Sequence, residues 1–376
     1  MATFKDFEHA VALLSGGGNT VIYDDVGLPS IMVKIDKKQI QDLIDGGSGS
    51  THQAFIVDGV EVPAFYYSKY QNIVYRGRAY SLPLQDPAAG NINSLDRGDA
   101  PSTGVTFDNS KIWSEKKGPG WHLATNAEWA AIALWCRKHG LMPRGNNNYG
   151  KDHGAAWETG LPTLEETSGA FRTLRVATGS GPASWSHDGT PGGIWDLNGN
   201  IREWVGAYRT VDGEIQIIPD NNAAKQILQT PESTLWKAIM PDGSLVEPGT
   251  SGTLKWDYSS PVPAGGTSAY AFRLNTQLAN PADNDSAYGA IGFNALTAAS
   301  AVDIPEVLKS LALYPADSGD HGSDSIYMRN RGERLGHRGG GWLLSSNAGV
   351  FFLGGGSSRS VVYTDLGFRS AYIPGI

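Results

Sequence analysis

Glycine and tryptophan together constrain the fold of this chain more than any other feature of its sequence. The 376 residues include 48 glycines and 11 tryptophans. Glycine supplies the backbone conformations that tight turns need, and large aromatic rings bury enough apolar surface to hold irregular segments in place. The composition therefore predicts a loop-rich globular fold whose long turns are fixed by buried rings.

Charge and cysteine content exclude several classes of partner and site. The formal net charge is −8, which argues against a nucleic-acid partner because such binding needs a basic face. Cys136 is the single cysteine, so neither an intrachain disulfide nor a thiolate metal cluster can form. No apolar run is long enough for membrane insertion. The N-terminus lacks the basic start and apolar core of a secretion signal, so synthesis in the bacterial cytoplasm is expected.

The first part of the chain predicts a small unit over residues 1–45. Its pattern favours a short amphipathic helix at 4–14, strands at 20–23 and 30–35, and a helical turn at 39–44. Residues 46–54 are rich in glycine and serine, a composition typical of a flexible linker. A surface loop within one domain is the alternative for this segment. Residues 55–376 are predicted to form the main domain.

Within that domain the clearest predicted helix covers residues 126–139. Thr125 and Glu128 have the spacing of a capping box, and the helical periodicity places Cys136 toward the core. Residues 253–256 and 269–272 are predicted strands, and residues 305–311 a predicted helix.

Three motifs follow one another along the main domain. They are GWHLATNAEW at 120–129, GIWDLNGNIREW at 193–204, and RGGGW at 338–342 followed by GFRSAY at 367–372. In this order they resemble the formylglycine-generating-enzyme (sulfatase-modifying-factor) branch of the C-type-lectin fold. The resemblance covers about residues 55–376. It implies an α+β, C-type-lectin-like fold that is loop-rich, with short antiparallel strands and few helices.

The resemblance also implies a cation site in the second motif. In the enzyme branch the matching positions hold calcium, which would be bound here by the Asp196 and Glu203 side chains and the Gly199 and Ile201 carbonyls. Calcium prefers such oxygen ligands. The alternative is a turn held only by hydrogen bonds. No cofactor is expected to be required, and a calcium ion here would be structural.

The enzymatic chemistry of that branch is missing from this sequence. Its oxidase activity depends on a pair of cysteines late in the chain, where this sequence has none. The one thiol, Cys136, is predicted to be buried and therefore inert. The scaffold resembles the enzyme, but we expect no catalytic residues and no enzymatic activity.

The C-terminal segment resembles the variable region of proteins that phage and bacterial retroelements diversify. In such proteins a template rich in AAC or AAT codons is copied with its adenines randomised. The constant frame would include Arg338, Trp342, the Ser346–Phe351 segment, Arg359 and the Gly367–Ser370 segment. The variable region would extend over about residues 341–365.

The positions between these frame segments provide a check within this sequence. Randomising the first two bases of AAC cannot produce Lys, Glu, Gln, Met or Trp, and none of these occurs there. The predicted variable, ligand-binding positions are Gly341, Leu343, Leu344, Phe352, Gly354, Gly356, Val361, Val362, Tyr363, Thr364 and Asp365. Their side chains are expected to be exposed together on one face, above buried Trp342, Phe351 and Phe368. An ordinary glycine-rich core loop is the alternative.

The resemblance implies a hypervariable protein that binds a protein or glycan receptor on a host-cell surface. The leading expectation is a receptor-binding protein in the virion, at the tip of a phage or prophage tail. Residues 1–45 would attach it to a tail fibre, and a homotrimer is an assembly that this role allows. The alternatives are an exported bacterial adhesin at the cell surface and a relative of the formylglycine-generating oxidase.

Overall fold

The computed structural model describes residues 4–90 and 104–376. This part of the chain contains five α-helices, all short. They are α1 (Phe4–Leu14), α2 (Ile40–Leu43), α3 (Phe107–Glu115), α4 (Asn126–Lys138) and α5 (Glu306–Ser310).

Strands account for most of the regular structure. In the N-terminal half they are β1 (Asn19–Tyr23), β2 (Pro29–Asp36), β3 (Ile56–Val57), β4 (Val60–Glu61), β5 (Ala64–Ser68), β6 (Ile73–Tyr75), β7 (Arg78–Tyr80), β8 (Trp121–Leu123), β9 (Pro162–Glu165) and β10 (Thr173–Val176). In the C-terminal half they are β11 (Arg202–Val211), β12 (Glu214–Ile217), β13 (Lys237–Ile239), β14 (Leu245–Val246), β15 (Lys255–Tyr258), β16 (Ala269–Tyr270), β17 (Phe272–Asn275), β18 (Tyr288–Gly292), β19 (Ser325–Met328), β20 (Glu333–Gly339), β21 (Gly349–Ser357), β22 (Leu366–Phe368) and β23 (Ser370–Tyr372).

The N-terminal strands and the last strand of the chain share one antiparallel sheet. Its order is β1-β2-β5-β23-β8, with Val33 paired to Tyr67 and Ala371 paired to Tyr67 on its other side. The predicted boundary at 46–54 therefore divides two sequence patterns but not two sheets. Hydrogen bonds also hold this glycine- and serine-rich segment, because the Ser48 amide and hydroxyl donate to the Glu306 carboxylate at 2.8 and 2.7 Å.

A twelve-stranded sheet carries the C-terminal half of the chain. Its main path is β14-β13-β12-β11-β20-β21-β19-β18-β16, with β15, β17 and β22 attached beside it. Most of its pairs are antiparallel, but three are parallel: β19 with β21, β22 with β11 and β16 with β18. As a result β21 lies in the interior of the sheet, between β20 and β19.

Helix α4 lies at the centre of the main core and packs against α2, α5 and β11. Its predicted capping box is confirmed: the Thr125 hydroxyl accepts a hydrogen bond from the Glu128 amide, and the Glu128 carboxylate accepts one from the Thr125 amide. Cys136 is fully buried, as predicted. The Glu128 carboxylate also forms hydrogen bonds with the side chains of His122 and Asn221. These bonds fix the start of the helix to the surrounding segments.

Buried rings fix the irregular segments, as the composition predicts. Six tryptophans are among the largest side chains that are less than 2% exposed: Trp121, Trp129, Trp185, Trp204, Trp236 and Trp256. The described helices include none that is both long and apolar enough to cross a membrane. The observed architecture is α+β, with few helices and many short, mainly antiparallel strands joined by long ordered loops.

Candidate ligand-binding surface

The three aromatic residues of the frame are buried, as predicted. Phe351 and Phe368 are fully buried and Trp342 is 4% exposed. Trp342 packs with Ala89 and Ile201 in a small apolar cluster. Arg338 is also fully buried, and its guanidinium donates to the Asn126 side chain at 2.6 Å. These contacts fix the backbone on both sides of the segment.

Seven of the eleven predicted variable positions lie at the surface, and we call this set the C-terminal surface. Leu343 and Tyr363 expose 50% and 40% of their area, and Thr364 is exposed as well. Leu344, Gly356, Val361 and Val362 are half-buried. Apolar groups exposed together mark interaction sites more often than chance.

The expectation of exposure is wrong for the other four positions, Gly341, Phe352, Gly354 and Asp365. Phe352 is 1% exposed because its ring stacks on His337, with centroids 6.0 Å apart. Asp365 is 5% exposed because it forms an ion pair with Arg202. The Phe352 and Asp365 side chains therefore lie beneath the C-terminal surface and support it.

Two of these four positions are glycine for a steric reason. A Cβ atom on Gly354 would lie 1.8 Å from His337 Cε1, and one on Gly341 would lie 2.5 Å from Asp365 Oδ2. The sequence of three glycines from Gly354 is poor for a strand by propensity, yet it lies within β21. The close approach of the His337 ring explains the absence of a side chain at Gly354.

A pocket of about 210 Å³ opens within the segment, and we call it the C-terminal pocket. Five predicted variable positions line it although they are spread over twenty residues of sequence: Leu344, Phe352, Gly354, Gly356 and Tyr363. The other six positions lie outside the lining: Gly341, Leu343, Val361, Val362, Thr364 and Asp365. The remaining wall consists of residues that the sequence did not indicate: Arg202, Tyr288, Tyr327, Met328, Arg329, His337 and Ser357. Arg202 stands in the second motif, the single sequence signal that could have indicated any of them.

Two arginines, Arg202 and Arg329, make the C-terminal pocket basic, whereas the His337 imidazole in its wall is neutral. Burial, reinforced by the positive charges of Arg202 and Arg338, holds the pKa of His337 well below its usual value. The Arg202 guanidinium lies 4.9 Å from the centre of the Tyr363 ring. Because Arg202 also pairs with Asp365, it links a buried predicted position to an exposed one.

The turn in the second motif gathers the predicted calcium ligands around a side-chain amide. Gln71 Nε2 lies 3.2 Å from the Asp196 carbonyl, 2.9 Å from the Ile201 carbonyl and 3.0 Å from Glu203 Oε1. The Gly199 carbonyl is 3.5 Å away. Three of the predicted groups converge, the Gly199 and Ile201 carbonyls and the Glu203 carboxylate, but Asp196 contributes its carbonyl and not the predicted side chain; their common centre is the nitrogen of Gln71.

The carboxylates of this turn do not fit a calcium ion as they are placed. Both oxygens of Glu203 accept hydrogen bonds from Arg369, at 2.7 and 3.1 Å. The Asp196 side chain points elsewhere, since its Oδ2 accepts from the Gly179 amide at 2.8 Å. In the described ranges no group of three acidic, histidine or cysteine side chains could hold a metal. This geometry favours the hydrogen-bonded alternative, and calcium binding stays a prediction.

The one thiol is placed where it cannot act as a nucleophile. Cys136 is fully buried on α4, and its Sγ lies 3.4 Å from the His187 carbonyl oxygen. Burial raises the pKa of this thiol far above its usual value. Since the thiolate is the reactive form, Cys136 supplies no redox chemistry.

Few helices, short strands and long ordered loops with a pocket at the C-terminal surface define an α+β fold of the C-type-lectin-like class. The chain belongs to the family described as the sulfatase-modifying factor enzyme 1-like domain (FGE-sulfatase), which matches residues 44–236. This match ends before the C-terminal surface begins. No curated protein sequence matches the chain significantly.

Solved structures similar to the chain include variable and tropism-determining proteins. The Major Tropism Determinant U1 variant is 12% identical, with 91% of this chain and 62% of that chain covered and a TM-score of 0.32. The Major Tropism Determinant P3c variant is 11% identical, with 94% of this chain and 71% of that chain covered and a TM-score of 0.33. Treponema denticola variable protein 1 is 13% identical, with 95% of this chain and 99% of that chain covered and a TM-score of 0.28. The chain thus spans less than two thirds of the U1 variant, and similarities this low carry no functional argument.

We predict that the turn is stable without calcium. A chelator is expected to change the melting temperature by less than about 1 °C, because only a ligand bound to the folded state would stabilise it by mass action. Gln71→Ala should cost roughly 1–3 kcal/mol, since it leaves buried carbonyls without a donor. Gln41→Ala, at an exposed position, is the matched control. A fall in melting temperature on chelation that added calcium reverses would contradict this prediction.

A second prediction concerns the pH dependence of stability. Burial raises the pKa of Asp196 to about 6, and its Oδ1 is buried with no hydrogen-bond partner in residues 4–90 and 104–376. Because the folded state holds this proton more tightly than the unfolded state, Asp196 lowers stability as the pH rises from about 4 to about 6. The deficit reaches about 3 kcal/mol above that range.

Asp196→Asn removes the buried charge, so it should raise the free energy of unfolding at pH 7.5 by up to about 3 kcal/mol. At pH 4 the variant and the parent should be nearly equal. Urea unfolding at both pH values measures the difference. A variant that is less stable than the parent at pH 7.5 would show that the carboxylate has a favourable partner, such as a cation.

A third prediction separates the frame from the C-terminal surface at two adjacent residues. Trp342→Ala should cost roughly 3–5 kcal/mol through the cavity that it leaves. Leu343→Ala should change stability by no more than about 0.5 kcal/mol, because half of Leu343 is exposed. Equal losses in urea unfolding would mean that Leu343 belongs to the core.

Proposed function

We propose that this chain is a ligand-binding protein whose contact area is the C-terminal surface together with the C-terminal pocket. One observation carries the proposal. Five predicted variable positions that are separated in sequence line a single pocket, while the frame residues Trp342, Phe351 and Phe368 are buried. A rigid scaffold with changeable surface residues is the arrangement of antibody combining sites.

Diversification by a retroelement is part of the proposal. The residues at the eleven positions obey the restriction that adenine randomisation of AAC imposes. Gly356 supports it further, because a Cβ there would meet its nearest atoms, in Arg329, at 3.7 Å, an ordinary contact. Larger residues therefore fit at this position, whereas at Gly354 and Gly341 they would require the neighbouring side chains to move.

The proposed partner is a protein or glycan receptor on a host-cell surface, and the proposed location is the tip of a phage or prophage tail. Residues 1–45 would then attach the protein to a tail fibre, and assembly as a homotrimer is open. An exported bacterial adhesin is the alternative location. The neighbouring DNA distinguishes retroelement diversification from other origins: it should carry a near-copy of the C-terminal segment that differs at adenines, next to a reverse-transcriptase gene.

The rival function is the oxidase activity associated with the family. Family membership favours it. However, the resemblance implies that this activity depends on a pair of cysteines. This chain has only Cys136, which is buried and holds its proton. We therefore propose that the chain has no formylglycine-generating activity.

Binding should depend on Tyr363 and Leu344. Tyr363 combines a rigid ring with a polar tip and is 40% exposed at the pocket, features typical of residues that dominate interfaces. Labelled protein is measured by flow cytometry on a panel of bacterial strains, and a strain that it labels is used for titration. Tyr363→Ala or Leu344→Ala should weaken binding by roughly 1–2 kcal/mol or more and leave folding nearly intact.

Leu14→Ala is the matched control, because Leu14 is 81% exposed on α1. The proposal fails if this control weakens binding as much as the two surface substitutions do, or if all three leave it unchanged. It also fails if the protein, supplied with copper, converts a cysteine-containing sulfatase peptide to formylglycine, which mass spectrometry detects.

A further inference from the structure

Three side-chain nitrogen atoms of residues that line the C-terminal pocket are buried and have no hydrogen-bond partner among the described residues. They are Arg202 Nε, Arg329 Nε and His337 Nδ1. His337 is only 3% exposed, and its other ring nitrogen lies 3.1 Å from the Ser357 hydroxyl. Buried polar atoms in native proteins are nearly always paired. All three belong to side chains that line one pocket, and since a guanidinium group only donates hydrogen bonds, the two arginines favour a ligand with hydrogen-bond acceptors.

The charge of the pocket indicates that the acceptors are anionic. None of the described lining residues is acidic. Arg202 is paired with Asp365, but Arg329 donates to a neutral group, the Gly356 carbonyl, at 2.6 Å. A guanidinium at a partly enclosed pocket, with no carboxylate partner in the described part of the chain, favours a carboxylate on the ligand, since such charge-assisted bonds are strong.

The size and walls of the pocket indicate that the carboxylate is carried on a ring with hydroxyl groups. Its volume of about 210 Å³ is below the roughly 300–1,000 Å³ of pockets for drug-sized ligands, so it accommodates a single ring. Three tyrosines, Tyr288, Tyr327 and Tyr363, and the Ser357 hydroxyl line it. Tyrosine offers an apolar face for a ring and a hydroxyl for polar substituents.

We propose that the C-terminal pocket binds an acidic sugar, a hexuronic acid or a similar monosaccharide carboxylate at the end of a glycan. This inference rests on the proposed binding function and specifies the ligand class. Arg329 would hold the carboxylate, with Arg202 and His337 beside it, and the tyrosine rings would pack against the sugar.

The proposal also divides the work between constant and variable residues. Arg202, Arg329, His337 and Ser357 are not among the predicted variable positions, so recognition of the charge would persist between diversified copies. Leu344, Gly356 and Tyr363 would change the shape of the pocket mouth. Diversification would then alter which acidic sugar is bound while the requirement for a carboxylate remains.

The first test uses the intact wild-type chain and three probes. Glucuronate, glucuronamide and glucose are titrated separately by isothermal calorimetry at low salt. Glucuronate should bind, and the two neutral probes should bind at least tenfold more weakly. Equal binding of glucuronate and glucuronamide, or no detectable binding of glucuronate, overturns the proposal. This comparison needs no variant and so does not depend on one folding correctly.

The second test uses Arg329→Gln, with Arg331→Gln as the matched control. Arg331 is a neighbouring arginine whose side chain is 51% exposed. Arg329→Gln should weaken glucuronate binding at least tenfold at an unchanged melting temperature, and Arg331→Gln should change it less than twofold. Similar effects of the two substitutions overturn the assignment of Arg329.

A peptide partner is the competing outcome. If N-acetylglutamate, an acyclic carboxylate, binds as tightly as glucuronate, the pocket recognises acidic peptide side chains and the sugar assignment is wrong. The cell-binding assay separates failure of this inference from failure of the proposed function. If Tyr363→Ala weakens cell binding while no probe binds the wild type, the binding function stands and the acidic-sugar assignment falls.

Discussion

A buried ion pair between Glu203 and Arg369 holds the two sheets of this protein together. Arg369 lies at the point where the chain passes from β22, beside the large sheet, to β23 in the five-stranded sheet. Its guanidinium pairs with Glu203 on β11 and donates to the carbonyls of Ser68, Lys69 and Trp195. Removing one member of such a pair leaves a buried charge, at a cost of roughly 3–5 kcal/mol.

The same pair explains how the turn of the second motif is stabilised. Gln71 follows β5 closely, and its amide nitrogen reaches the carbonyls that a cation would otherwise bind. Gln71 thus supplies the hydrogen-bond donor for the carbonyls of the turn, and Arg369 supplies the positive charge that neutralises Glu203. The hydrogen bonds seen in this turn come from side chains of the chain itself, and the single thiol, Cys136, lies buried elsewhere in the core.

The C-terminal surface depends on this frame because β21 is an interior strand. Its neighbours β20 and β19 hold Phe351 and Leu353 in the core, and Arg338 fixes β20 to the start of α4. The proposed function requires that side chains at the two ends of the segment change without altering this backbone. The buried members Phe352 and Asp365 limit that freedom, since one packs on His337 and the other pairs with Arg202.

Local patterns in the sequence predicted what local interactions determine. The capping box of α4, the helix at 4–14, the burial of Cys136 and the burial of Trp342 and Phe368 all follow from spacing and residue type, and the structure confirms them. The resemblance of the three ordered motifs to a known family implied the α+β fold class. The resemblance to diversified variable regions identified eleven positions, of which five line one pocket.

Tertiary packing alone decided which of those positions are exposed and what surrounds them. A sequence does not show that the His337 ring covers Gly354, that Gln71 reaches the turn at 196–203, or that Tyr288, Tyr327 and Arg329 complete the pocket. These contacts join residues distant in the chain through strand pairings such as β19 with β21 and β2 with β5. Local propensity carries no information about such pairings, because long-range register depends on the packing of the whole core.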